Sequence, residues 1–157
     1  MKRLACAAAL LLAALPAAAQ NLESGKALFD SHCAVCHQPG GVGIDGLAPP
    51  LTANPGRYAS TEAGRRVLAN VGLFGMYGEI ESGGKRFNGN MPSFRAALSD
   101  AQLADVLNYL VFQLSDGTHG GRAQPYSAGE LAALRTQTLN GNEVRRQRMT
   151  VLGEGTK

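Results

Sequence analysis

Tryptophan is absent from the 157-residue chain, and aromatic residues make up only 6% of it. A domain of about a hundred residues with so little aromatic bulk has limited apolar material for a core and usually needs an added staple. Cysteine is scarce too, with three in all, and Cys6 lies in the N-terminal segment, which leaves Cys33 and Cys36. There is no second Cys pair, and His32 and His119 make no ligand spacing with the first, so a zinc site lacks half its donors. No βαβ pattern flanks the pair, which argues against a thioredoxin-like redox motif. A disulfide across three residues would close too small a loop to stabilise much. Past residue 19 no stretch is long and apolar enough to cross a membrane. Net charge is also low: without Lys2 and Arg3, 13 basic residues face 12 acidic ones, a balance that argues against nucleic acid as a partner.

What is present is Cys33-Ala34-Val35-Cys36-His37. Two cysteines three apart followed at once by histidine form the attachment signature of a c-type haem. On a helix, positions i, i+3 and i+4 share a face, so both thiols and the imidazole can point the same way. Both sulfurs then form thioethers with the porphyrin vinyl groups while His37 coordinates iron. A covalently attached macrocycle is also the staple that a sparse core calls for.

Met1-Lys2-Arg3, the Ala/Leu run from Leu4 to Leu15 and Pro16-Ala17-Ala18-Ala19 read as a signal peptide over 1–19, cut before Gln20. The expected location is periplasmic; retention of the segment as an anchor is the alternative. Residues 20–117 form the expected domain and 118–157 an extension. The first carries seven Lys/Arg against nine Asp/Glu and the second six against three, a basic tail on a mildly acidic body.

Asn21 and Glu23 mark the start of a helix over Leu22 to Cys33, with Gly25 placed where another helix could approach closely. Gln38 to Asn54 reads as glycine-rich loop leading into the rigid Ala48-Pro49-Pro50-Leu51. A ligating imidazole usually donates its free N–H to a carbonyl, and Pro49 is the candidate acceptor. Ser60 or Thr61 caps a helix to about Val71. Arg57, Arg65 and Arg66 read as solvated charges, with a haem propionate contact from one of them as the alternative. Gly83-Gly84 signals a short hairpin between Glu79–Ser82 and Lys85–Phe87. Ser99 and Gln102 form a capping box that opens a helix whose stripe is Leu103, Val106, Leu107, Leu110 and Leu114, ended by Gly117. Tyr109, at the stripe's edge, seals either the haem crevice or the contact with the first helix. In the extension, Ser127 and Glu130 form a second capping box for a helix to Leu134, and Val144 to Leu152 reads as a basic helix. This tail either folds loosely on the domain or docks to an acidic partner.

The sixth iron ligand separates an electron carrier from a haem enzyme or gas binder. Met91, followed by the stiff Pro92, is the choice and Met76 the runner-up; Met149 lies beyond the last core helix, and His32 is tied to the proximal side by Cys33. No distal acid–base pair supports an enzyme.

The haem motif, Ala48-Pro49-Pro50-Leu51, Met91-Pro92 and the helix after Leu98-Ser99 together resemble a class I c-type cytochrome over residues 22–117. The loop from Gly41 to Pro55 and the segment from Gly78 to Phe94 are similar to monohaem cytochrome subunits of bacterial periplasmic dehydrogenases. The resemblance implies an all-α fold of three main helices around one haem c, a hairpin before the axial methionine and a partly helical extension. It also implies crossing of the first and last domain helices, a carbonyl acceptor at Pro49, and single-electron transfer with His37 and Met91 as axial ligands. The implied partners are redox proteins such as a dehydrogenase and a membrane oxidase or another cytochrome.

Overall fold

In the computed structural model, which describes residues 21–115, 117–119 and 121–153, the regular elements are helices apart from one antiparallel hairpin. The expected signal peptide at 1–19, with Cys6, lies outside the described residues. Helix α1 spans Leu22–His32, and its N-cap Asn21 accepts a hydrogen bond from the Ser24 N–H at 3.0 Å. A short helical turn, α2, covers Ala34–His37. After a loop come α3 (Asn54–Ala59) and α4 (Glu62–Phe74), then β1 (Ile80–Ser82) and β2 (Lys85–Phe87), with Ile80 paired to Phe87. Helix α5 (Asp100–Tyr109) opens on the expected capping box: the Gln102 N–H donates to Ser99 Oγ and the Ser99 N–H to Gln102 Oε1. Helices α6 (Ala128–Arg135) and α7 (Gly141–Leu152) complete the described chain.

The contact that frames the interior is α1 across α5. A Cβ on Gly25 would stand 2.2 Å from the Asp105 carbonyl oxygen, a separation no side chain can occupy. One turn further on, Phe29 is fully buried with its ring 5.5 Å from that of Tyr109. Tyr109 therefore serves the helix crossing. Both features follow from sequence spacing, since Gly25 and Phe29 are four residues apart on one face.

Two elements of the domain depart from expectation. Helix α3 begins at Asn54 and carries Pro55 in its first turn, so a segment rich in proline and glycine forms a helix that its composition disguises. The final domain helix changes to a π-helical turn over Leu110–Leu114 and ends at Ser115, two residues before Gly117. There the Ser115 hydroxyl accepts from the Gly56 N–H at 2.9 Å and donates to the Leu110 carbonyl at 2.5 Å, so the widened turn binds α3 to the end of the helix. Val111, off the expected stripe, becomes fully buried.

The extension is not a loose tail. Leu131 and Val144 are fully buried, α6 packs on α5 and α4, and α7 packs along α4. Arg65, expected to be solvated, grips it instead: its guanidinium makes two bonds to the Glu130 carboxylate (2.7 and 2.5 Å), others to the Gln124 and Pro125 carbonyls, and lies 3.8 Å over the Tyr126 ring. Because Glu130 is engaged there, only the Ser127 half of the expected capping box forms, with the Glu130 N–H donating to Ser127 Oγ. Helix α7 starts earlier than expected, on a capping box of Asn140 and Glu143. Buried Asn108 closes the seam by pairing with both backbone groups of Tyr126.

Gly25→Ala should lower stability by about 1–3 kcal/mol, because the new methyl group overpacks the crossing. Gly129→Ala, in open space on α6, should be neutral or stabilising by up to about 1 kcal/mol. Denaturant melts check both, and equal effects would mean that the crossing tolerates added bulk.

Candidate haem crevice

Cys33 is the residue at which α1 ends and α2 begins: its own N–H donates to the Phe29 carbonyl while its carbonyl accepts from the His37 N–H, at 2.8 and 2.9 Å. The turn carries Cys33, Cys36 and His37 to the wall of one crevice. Burial, with Cys36 adding to it, pushes the Cys33 thiol up to about 11. Gln38, directly after the turn, has φ +64 and ψ 157, a backbone shape ordinarily reserved for glycine, and it turns the chain sharply away from α2.

The loop then doubles back. The Gly43 N–H donates to the His37 carbonyl at 2.8 Å, and a Cβ on Gly43 would be 2.5 Å from the Ala48 oxygen and 2.9 Å from the Pro49 carbonyl carbon. That close approach brings the Pro49 oxygen to 2.9 Å from His37 Nδ1. A carbonyl can only accept, so Nδ1 carries the proton and the lone pair is left on Nε2. His37 is 7% exposed, and burial holds its pKa below the usual histidine value, opposed by the bond to Pro49. The imidazole is therefore neutral at neutral pH, the state in which it can donate a lone pair to iron.

Met76 and Met91 form an isolated antiparallel bridge, with reciprocal N–H to carbonyl bonds of 3.0 and 2.9 Å. Directly opposed residues place their side chains on the same side, and both methionines line the crevice. The choice between them made from sequence therefore stands between two adjacent thioethers. Met149 does not line it, and neither do Arg57, Arg65 or Arg66. Apolar side chains from α4, α5 and the hairpin, including Leu68, Leu103, Leu107 and Phe87, supply the walls. Among the described residues no cluster of three or more His, Cys, Asp or Glu is arranged to hold a metal ion. An apolar slot with two thiols and a neutral imidazole along one side and thioethers in its wall fits a porphyrin that brings its own metal.

Four polar lining residues went unread in the sequence: Asn54, Tyr58, Asn90 and Arg148. For Arg148 a signal exists. It falls four residues after Val144 and three before Val151, interrupting the apolar face of an otherwise polar helix.

The family model for cytochrome c matches residues 22–112. The chain belongs to the cytochrome c family. Cytochrome c-552 of Thermus thermophilus is 37% identical over 80% of this chain and 95% of its own length. Cytochrome c6 of Synechocystis is 32% identical over 64% of this chain and 72% of its own. The cytochrome c subunit of the quinone alcohol dehydrogenase of Gluconobacter oxydans is 31% identical over 73% of this chain, which spans only 22% of that subunit. As a cytochrome c the chain carries one haem c, linked through Cys33 and Cys36, and its function is haem-based electron transfer. The helical fold with its small hairpin agrees with the class I form of the family.

Replacing both Cys33 and Cys36 by alanine should leave no haem that survives a denaturing gel. It should also abolish the cooperative thermal transition, because the crevice walls lose their filling. Haem staining and circular dichroism read the two outcomes; a native-like cooperative melt of the double variant would contradict the second.

Proposed function

We propose that this cytochrome is a periplasmic monohaem electron carrier in which His37 and Met91 are the axial ligands. The single observation that carries the reading is the fixed, neutral His37, with its Nδ1–H held by Pro49, in the same crevice as the Met91 thioether. When bound, haem supplies a reversible one-electron couple, and two strong axial ligands keep its geometry nearly unchanged between oxidation states, which lowers the barrier to transfer. Pro49 orients the imidazole and strengthens it as a donor. Met91 is preferred to Met76 because its flanks are anchored: Pro92 stiffens the chain, the Ser93 hydroxyl donates to the Leu73 carbonyl at 2.5 Å, and the Phe94 N–H donates to Gly72. A soft thioether favours the reduced metal and raises the potential.

The proposed location follows from the export signature at 1–19. The proposed route runs from a periplasmic dehydrogenase to the respiratory chain, and the likeness to a dehydrogenase cytochrome subunit supports that donor. Cys36 is exposed at the crevice edge, and Val35 and Val42, 74% and 62% exposed, stand near it in the chain with half-exposed Leu47, an apolar rim suited to brief contact with a redox partner.

Met91→Ala should abolish the weak far-red band of methionine-bound ferric haem, lower the potential and open the reduced protein to carbon monoxide. Met76→Ala should keep the band. Absorption spectra and potentiometry on the two variants decide the assignment: a band lost only in Met76→Ala moves the ligand to Met76. Rapid carbon monoxide binding by the unaltered reduced protein would replace the carrier by a haem enzyme or gas binder.

A further inference from the structure

Of the Lys, Arg, Asp and Glu residues among the described chain, one lines the haem crevice: Arg148. It is 3% exposed, and its Nη2 donates to the Glu81 carbonyl of β1 at 2.8 Å. It comes from α7, outside the residues 22–112 that the family model matches. A guanidinium held so deep keeps its charge, and an anion sharing the site offsets its desolvation better than neutral acceptors do. The group that fills this crevice brings carboxylates of its own, two propionates on the macrocycle edge opposite the thioether-bearing one.

Placement within the crevice agrees. The thioether end is fixed by α2, which packs on α1 and the turn after it, whereas α7 lies along α4 and reaches the crevice beside the hairpin. Another polar lining residue, Asn54, also binds β1: its Nδ2 donates to Ser82 Oγ at 2.7 Å, next to the Glu81 that Arg148 binds. The rest of the crevice is predominantly apolar. We propose that Arg148 is a positioning residue that pairs with a haem propionate, so that the C-terminal helix forms part of the redox site and raises its potential. A fixed positive charge near the macrocycle favours the ferrous state, which carries one positive charge fewer. The proposal rests on seating haem in this crevice; it does not depend on which methionine is the sixth ligand.

The competing explanation is purely structural: Arg148 ties α7 to the hairpin, as its bond to Glu81 does, and does not act on the haem. The holoprotein distinguishes the two through Arg148→Met, Arg148→Gln and Arg148→Lys, with Arg145→Gln as the control. Arg145 donates to the neighbouring Glu79 carbonyl at 2.5 Å from the same helix but does not line the crevice. At the wild-type midpoint potential, the ferrous-to-ferric ratio should fall at least about threefold in the Met and Gln variants, roughly 28 mV at about 59 mV per tenfold change. The Lys variant should stay within about twofold, since it keeps the charge, and Arg145→Gln should not move. The propionate bending modes in the resonance Raman spectrum should shift in the Met and Gln variants. Wild-type potentials and modes in the Met and Gln variants, with only the melting temperature lowered, would overturn the proposal, as would a Lys variant shifted as far as Met. The far-red methionine band is read in parallel: its absence from the wild type would count against the axial assignment alone.

Discussion

A single hydrogen bond, from His37 Nδ1 to the Pro49 carbonyl, sets the terms for the proximal half of the molecule. It fixes the tautomer, and with the tautomer the direction of the remaining lone pair. Everything between the two residues is shaped to make it. Gln38 accepts an unfavourable backbone conformation, Gly43 admits the returning chain where a methyl group would collide, and Ile44 bridges Ala48 to close the loop. The proline at 49 adds rigidity at low entropic cost, because little of its freedom remains to be lost on folding. A loop of this composition has few apolar contacts of its own; its order comes from backbone hydrogen bonds such as Gly43 N–H to His37, Ile44 N–H to Ala48 and Leu51 N–H to Gly41, together with the bond at its end.

The wall away from this loop depends on helices that serve two purposes at once. Helix α5 meets α1 through the Gly25 gap, faces the crevice with Leu103, Val106 and Leu107, and receives the extension through buried Asn108. Helix α4 likewise offers Leu68 and Val71 to the crevice and Arg65 to the extension. The extension therefore buttresses the two helices that wall the haem. Its contribution is transmitted through packed, close-fitting elements, in which displacing one surface displaces the other.

The readable parts of this architecture were those encoded by short-range pattern. The capping residues Asn21, Thr61 and Ser99, the stripe from Leu103 to Leu110 and the glycine pair of the hairpin all act within a turn or two of themselves. The attachment motif is similarly local, since five consecutive residues hold both sulfurs and the imidazole. What escaped was decided by distant partners. The π-helical turn exists alongside Ser115 binding Gly56, 59 positions away, and Arg65 is buried by a segment beginning about 60 residues later. Neither relation leaves a periodic trace. Met76 and Met91 are also joined only by folding, and a pairing that puts two thioethers side by side cannot be inferred from the merits of either one.

Charge shows the same limit in a sharper form. The extension has six basic residues against three acidic ones, and read along the chain this suggests a cationic surface offered to a partner. Folding turns much of that charge inward or pins it. Arg135 binds Asp100 at 2.6 Å and the Leu98 carbonyl, Arg145 binds Glu79, and Arg148 enters the crevice. Of the arginines on α7, Arg146 alone remains exposed. A guanidinium paired with a carboxylate, as Arg135 is with Asp100, contributes little to long-range steering, which depends on unpaired exposed charge and fades over about 8 Å in physiological salt. The exposed surface near the crevice edge is instead apolar, at Val35, Val42 and Leu47. Three of the tail's arginines, Arg135, Arg145 and Arg148, thus serve contacts within the protein, and the apolar rim proposed for a redox partner would act through short-ranged interactions only weakly sensitive to ionic strength.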